Sequence, residues 1–487
     1  MVRFFLIFCI IIFSNLANSD QQSFREVTLE DAILLSVREN PNVQRSKLSY
    51  ISQKYSLELA KWKFKPQYTL SANRQTSKNY SLTDENYVTE NANGVNFSAA
   101  LLTPIGTRIK VSPSADQSDH FHPGVTLEII QPLLKGFGKA IVEADLKDAI
   151  DNDYISQLNV KNTIRATVTS VINAYLDVIS AKNTLAVDEK ALRRAEESVK
   201  QTKMFIKSGR KPGVELVAVK ADVANAKALI ESDKNNLQRV KYALMAEIGL
   251  DPNSKIKFVK ADVTDLLKKF NIPKLNEFKE LSLKNDIQYQ SDIILLEGSK
   301  QRSLKLAKDN AKWELNLTGT AHSGDGNGGG PNSGLQSLVN GVNQTNSFRV
   351  DLTIPINDKQ AKAAVAQAKI SLREANLALK QEKWNKETSA INAWNSIFSL
   401  KRSLSFAKNA QELQEKTYNI SFQKYSHGLI DSLQLQSAQQ QLITSSQSLN
   451  SAYINYLKAL VNLDQMIGRT LQTWNIDVDY KDCSLKG

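Results

Sequence analysis

Two spacings of apolar residues organise the chain. The first is a period of seven. Ile164, Val171, Val178, Leu185, Leu192, Val199 and Ile206 form one row, and Leu216, Val223, Ile230, Leu237 and Leu244 form another. Leu435, Leu442, Leu449, Tyr456 and Leu463 form a third. A sustained seven-residue period predicts helices wound as left-handed coiled coils, because an undistorted helix drifts off such a row. The pattern places long helices at 140–207 and 358–426, and shorter ones at 214–248 and 431–467. Further helices are predicted at about 42–63 and at 284–311. Residues 140–207 would span about 100 Å, 214–248 about 52 Å and 42–63 about 33 Å. The two shorter helices end to end nearly match the long one. That is the shape of a spacer or conduit, not a compact globule.

The second spacing is alternation. Tyr68, Leu70 and Ala72 interleave with Thr69, Ser71 and Asn73. Val125, Leu127 and Ile129 interleave with Thr126 and Glu128. Trp313, Leu315 and Leu317 interleave with Glu314, Asn316 and Thr318, and Ser347–Ile354 alternates throughout. These strands match a membrane β-barrel with a polar lumen, although a soluble half-buried sheet looks the same strand by strand. Four strands per chain leave two open edges, which lipid does not tolerate. Either the sheet is soluble or several chains pool their strands into one closed barrel. A further pair, Val95–Leu102 and Thr107–Ser112, turns at Pro104-Ile105-Gly106. It either extends the barrel wall or forms an outer loop, and the favoured reading is a loop extension.

The pattern repeats. A shift of 219 carries Asn173-Ala174-Tyr175 onto Asn392-Ala393-Trp394, Gly209 onto Gly428, and Ile248-Gly249 onto Ile467-Gly468. Upstream the shift is 247, carrying Leu59-Ala60-Lys61 onto Leu306-Ala307-Lys308. The first half is therefore the longer one between those points, by the difference of the two shifts. Internal self-similarity of this kind decides the organisation before any domain count from length does. The expected layout is a first repeat at 20–249, with strands within about 66–131, and a linker or equatorial segment at 250–275. A second repeat follows at 276–468, with strands within about 313–355, and a tail at 469–487.

The N-terminus adds export. Arg3 precedes an apolar run, Phe4–Phe13, then Ser14-Asn15-Leu16-Ala17-Asn18-Ser19. The run is too short to span a membrane, and Ala17-x-Ser19 suits a signal peptidase, giving a signal peptide at 1–19. Cys9 lies inside the run, which argues against a lipoprotein. With Cys9 removed, Cys483 is left without an intrachain partner. Export favours the barrel over the soluble sheet.

Composition narrows the function. Charged residues make up 23% of the chain and hydrophobic residues 41%, which excludes bulk disorder. The net charge of +12 falls to +11 without the signal segment and invites a nucleic-acid reading. The Lys and Arg residues, however, interleave with Glu and Asp along helices, as solvated faces do. No nucleic-acid partner is expected. His120-x-His122 sits in a polar loop and supplies two ligands, too few for a metal site. Gly324–Gly330 is glycine-rich but does not join a strand to a helix, as a phosphate loop must. No catalytic triad, nucleophile elbow, zinc motif or cofactor motif is found, so the expectation is no enzyme, no cofactor and no metal.

The signal peptide, the twofold repeat of helix, strands, long helix and helix, and the glycines at the helical breaks together resemble the TolC family of outer-membrane efflux proteins. The resemblance covers essentially the whole mature chain. It rests also on Asn40-Pro41 ending the first helix, on Gln131-Pro132-Leu133-Leu134-Lys135-Gly136-Phe137-Gly138 after a strand, and on Tyr425-Ser426-His427-Gly428-Leu429-Ile430-Asp431 at the second break. It implies an α+β membrane protein: a homotrimer whose strands pool into a 12-stranded outer-membrane barrel, continued by a long periplasmic α-helical coiled-coil tunnel. It implies outer-membrane lipid, a periplasmic adaptor and an inner-membrane pump, a secondary transporter or an ABC type, as partners. The adaptor-docking tips would be Gly209, Arg210, Lys211 with Pro212 and Gly213, and Gly428, Leu429, Ile430 and Asp431. Pro212 and Gly213 depart from the family pattern. By the same resemblance Tyr425 and Glu215 fall at a latch that holds the tunnel shut. Gln434 and Ser437 fall where the narrowest ring carries acids in well-known members, and Ile430 falls where a gating Arg stands. The expected function is a passive exit duct of a tripartite efflux or type I secretion system. The competing reading is a structural or binding coiled-coil protein of the envelope, which has no need of duplicated strand blocks. A periplasmic adaptor, with its single long hairpin, fits less well.

Overall fold

The computed structural model describes residues 25–81, 86–117, 121–259, 263–324, 336 and 343–477. The expected signal peptide, His120, most of the glycine-rich loop and Cys483 lie outside the described residues. The chain is mostly helical, with one large antiparallel sheet. It falls into two compact units. One comprises Met1–Pro41, Thr167–Asn271 and Ile397–Asn462; the other comprises Asn42–Ala166, Ile272–Ser396 and Leu463–Gly487.

The helices follow from local chemistry. α1 (Leu29–Glu39) starts on a capping box: Asp31 N donates to Thr28 Oγ1 at 3.2 Å, and Thr28 N donates back to Asp31 Oδ2 at 3.1 Å. It stops at Asn40, because Pro41 disfavours a helical residue before it and opens α2 (Pro41–Trp62) instead. After the short α3 (Lys139–Val142), α4 (Ala144–Lys207) runs for 64 residues, about 96 Å, without a single Gly or Pro. α5 (Glu215–Ile248) follows. Next come α6 (Val263–Lys269) and α7 (Leu275–Lys284). Residues 287–310 are helical in three pieces: α8 (Ile287–Leu295), a π turn (Leu296–Lys300) and α9 (Gln301–Asn310). Beside that turn Arg302 Nε donates to Asp148 Oδ1 at 2.8 Å, and its guanidinium also binds Asp151. α10 (Lys359–Ser426) is 68 residues long and again free of Gly and Pro. α11 (Ser432–Met466) and the short α12 (Thr470–Thr473) close the chain.

Many of the seven-spaced positions are interior. Val171 and Val178 on α4, Leu244 on α5, and Leu435, Leu442 and Leu463 on α11 are all buried. The segment at 250–275, expected as a linker or equatorial segment, contributes a strand. Its strand β6 (Ile256–Phe258) pairs in parallel with β1 (Arg25–Val27), Val27 opposite Phe258. The buried Tyr175 donates its hydroxyl to the Val259 carbonyl and packs edge-on against Phe258 at 5.9 Å. Three-residue strands carry no readable alternation, so nothing along the chain signals this small sheet. In the other unit Trp394, the residue 219 positions after Tyr175, likewise donates to a backbone carbonyl, Pro273 O, at 3.1 Å.

The large sheet departs from expectation. It holds six strands, not four: β2 (Gln67–Ser81), β3 (Asn86–Leu102), β4 (Arg108–Gln117), β5 (Phe121–Pro132), β7 (Glu314–Gly324) and β8 (Asn343–Thr353). They pair in that order as a meander, every neighbouring pair antiparallel. The hairpin around 95–112, favoured as a loop extension, therefore lies inside the sheet between β2 and β5. Its alternation is the same as theirs, and Val111 stands opposite both Ala99 and Leu127. Its turn is also held. Gly138 N donates to Ile105 O at 3.0 Å, and a Cβ on Gly106 would lie 2.6 Å from Gly136 O. With φ of +102°, Gly106 occupies a position where a side chain is strained and unaccommodated.

Candidate functional site

The helix ends near residues 209 and 428 are built alike. α4 and α10 each stop at a glycine with positive φ, Gly209 at +69° and Gly428 at +79°. Arg210 N donates to Phe205 O at 2.8 Å and Leu429 N to Lys424 O at 2.9 Å, so the next amide satisfies a carbonyl that the ending helix leaves free. The chain then turns into α5 and α11. Asp431 caps α11 by accepting from Gln434 N at 2.8 Å.

Beneath these turns lies a buried cluster of Phe205, Tyr418, Tyr425, Leu435 and Leu442, with Phe422 and Ile430 at its margin. Tyr425 is fully buried. Thr202 donates its hydroxyl hydrogen to Ser198 O at 2.7 Å, so the Tyr425 hydroxyl is the donor in the 2.5 Å bond to Thr202 Oγ1. The ring of Tyr425 meets Phe205 edge-on at 5.9 Å. The Lys211 ammonium lies 4.4 Å from the Tyr425 ring centre, donates to Glu215 Oε2 at 2.8 Å, and sits 3.4 Å from the Ile430 carbonyl. Its side chain is only 9% exposed. A cation so enclosed needs its carboxylate and its ring face together.

The expected latch residues are thus neighbours but not direct partners. The Tyr425 hydroxyl bonds Thr202, Glu215 bonds Lys211, and Lys211 joins the two. Lys211 is also the residue 219 positions before Ile430, whose carbonyl it approaches. Gln434 and Ser437 are exposed on α11, turned away from the face that buries Leu435 and Leu442. Arg210 and Asp431 are exposed, and Leu429 is 72% exposed.

A second polar cluster in the same unit has no counterpart in the sequence reading. Asp188 on α4 is buried beside the Asp233 carboxyl on α5, and Gln447 Nε2 donates to Asp188 Oδ1 at 3.3 Å. Burial, with the adjacent Asp233 carboxyl, pushes the Asp188 carboxyl up to about 7. Nearby, burial also raises the Asp222 carboxyl, against the bond it accepts from Gln436. Isolated acids in a helical sequence read as surface, so nothing in the sequence marks these. Among the described residues no three His, Cys, Asp or Glu side chains converge as metal ligands, and no helix is long and apolar enough to cross a membrane.

The sheet is two-faced. Through the register, Leu70, Phe97, Val111, Leu127, Leu317 and Val350, one from each strand, share one face. Ser71, Ser98, Ser112, Thr126, Thr318 and Arg349 share the other. On that polar face Thr126 Oγ1 lies 3.0 Å from His322 Nδ1. The apolar face is open: Leu70 is 72% exposed, Phe348 79% and Val350 63%. A monomeric soluble protein does not ordinarily leave so continuous an apolar surface to water.

Comparison with known proteins agrees with these features. Residues 304–469 match the family model described as outer membrane efflux protein. No curated protein matches the chain. Solved structures do. The fold is similar to that of CusC, a transmembrane channel, with a TM-score of 0.71 at 15% identity over 93% of this chain and 95% of that one. It is similar to the CmeC outer membrane channel of Campylobacter jejuni, with 0.64 at 14% over 93% and 88%. It is similar to the open-state MtrE outer membrane channel of Neisseria gonorrhoeae, with 0.65 at 17% over 90% and 88%. Residues 304–469 thus match the outer membrane efflux protein model, and over most of its length the chain shares the fold of these outer-membrane channels.

Proposed function

We propose that the protein is an outer-membrane exit duct for efflux, serving a tripartite efflux or type I secretion system. The observation that carries this reading is the two-faced sheet, apolar on one face across all six strands and polar on the other. The same chain supplies helices of 64 and 68 residues, long enough to build a tunnel. Lipid outside and water inside is the environment that such a sheet suits. In this reading three copies close the barrel and the tunnel, and solute passes through passively. A periplasmic adaptor and an inner-membrane pump, a secondary transporter or an ABC type, supply direction and energy. The adaptor docks on Gly209, Arg210 and Lys211 and on Gly428, Leu429, Ile430 and Asp431, where Leu429 is free to be covered. Docking draws the helix ends apart, which breaks the Glu215–Lys211–Tyr425–Thr202 chain of contacts and opens the gate. Gln434 and Ser437 line the constriction and leave it without acids.

The test is electrical. Protein extracted by detergent from isolated outer membranes is added to a planar bilayer, where it is expected to form discrete channels. Recovery only in the soluble periplasm, with no conductance, would sink the duct and return the chain to a structural or binding coiled-coil role.

A further inference from the structure

The stretch by which the first half of the chain exceeds the second enlarges the membrane wall. We propose that β3 and β4 face lipid as part of the barrel, so that the assembly closes with eighteen strands rather than twelve. This rests on the outer-membrane duct reading above.

Three observations carry it. First, β3 and β4 occupy the middle of the hydrogen-bonded order, between β2 and β5. A loop extension outside the wall would leave β2 paired with β5; here each of them pairs with the inserted hairpin instead. Second, the insert continues both faces. Val95 and Phe97 on β3, with Ile109 and Val111 on β4, fall on the face of Leu70 and Leu127, while Ser98, Lys110 and Ser112 fall on the polar face. A hairpin in water on both sides has no need of this division. Third, its turn is tied at the end of the sheet where β5 gives way to the helices, by the Gly138–Ile105 bond and the contact of Gly106 with Gly136. That fixes β3 and β4 at full wall depth. Beyond the Asn93–Gln117 pair, β2 and β3 continue alone to Ser81 and Asn86.

The edges are suited to a second copy of the same chain. In a six-strand meander the first and last strands run in opposite directions. β8 of one copy therefore meets β2 of the next antiparallel, and the ring closes without an odd junction. Both edges carry the exposed apolar face, Tyr68 and Leu70 on β2 and Phe348 and Val350 on β8. With strands about 4.8 Å apart and tilted by about 40°, twelve strands make a barrel about 24 Å across the backbone and eighteen about 36 Å. The outlet would then admit bulkier solutes than a twelve-stranded wall.

Single cysteines test the assignment, in a Cys483→Ser background and with the protein reconstituted in phospholipid vesicles. Phe97→Cys and Val111→Cys report the proposed lipid face, Ser98→Cys and Ser112→Cys the lumen, and Leu127→Cys is a wall position with or without the insert. Each is labelled with a fluorophore and exposed to a lipid-borne quencher, then separately to a water-soluble maleimide. The proposal expects several-fold stronger lipid quenching at 97 and 111 than at 98 and 112, with the aqueous reagent favouring the latter pair. Equal aqueous reaction at all four, with Leu127→Cys still quenched, would overturn the insert as wall while leaving the duct intact. Leu127→Cys unquenched as well would mean that the outer-membrane reading itself fails. The native mass in detergent completes the count: three chains give eighteen strands, and any other number overturns that figure.

Discussion

At Tyr425 a single side chain bonds one helix with its hydroxyl and offers its ring to a cation from the turn that follows. Removing the hydroxyl separates these roles. Tyr425→Phe leaves the ring for Lys211 and Phe205 but loses the bond to Thr202, a loss of about 1 kcal/mol for a buried hydrogen bond. A larger open fraction in single-channel recordings is expected, and an unchanged open fraction would show that this contact does not hold the gate. The grouping of these residues, as distinct from any role, is partly legible in the sequence. The resemblance singles out Tyr425 and Glu215 together, and they do belong to one cluster. That Lys211 connects them is hidden, because it depends on how two turns from opposite halves of the chain face each other.

Among the elements, the long helices are the most legible feature and their polar contacts the least. A seven-residue row is a local property, and the absence of Gly and Pro lets it run through the 64 residues of α4 and the 68 of α10. The Asp188–Asp233 pair arises only when α4 and α5 are side by side. Its consequence is a pH dependence of stability. Asp188 has a folded value of about 7, above the ordinary unfolded value near 4. Between those limits the folded state holds a proton that the unfolded state has released, so stability falls as pH rises and levels off above about pH 7. Asp188→Asn removes this titration. The drop in melting temperature between pH 5 and pH 8 should shrink in the variant, and an equal drop would assign the effect elsewhere. Strands are legible as alternating segments, yet alternation misplaces the hairpin at 95–112, since it does not say which strand lies beside which.

At the scale of the whole molecule, the proposed place in the outer membrane would require partners for the edges of β2 and β8, which are open among the described residues. A sheet with an apolar face and two unpaired edges is not stable as a monomer in lipid. Detergent-extracted protein should therefore run at the native mass of three chains and resist dissociation until heated. A monomer of the same fold, stable in detergent and non-conducting, would contradict shared closure. The turn at Gly106 belongs to this argument too. Gly106→Val places a side chain against the Gly136 carbonyl at an unfavourable φ, and loss of the heat-resistant oligomer is the expected result.

Whatever recurs along the chain is written locally: helix length in the period of seven, strand faces in the period of two, and the helical breaks in glycine. These are set by neighbours a few residues apart, so they are present before the chain folds. Which element stands next to which is settled only on folding. The insertion of β3 and β4 between β2 and β5, the parallel pairing of β1 with β6, the enclosure of Lys211 and the burial of Asp188 all join residues far apart in sequence. No periodicity records such pairings, because each depends on the packing of whole elements against one another.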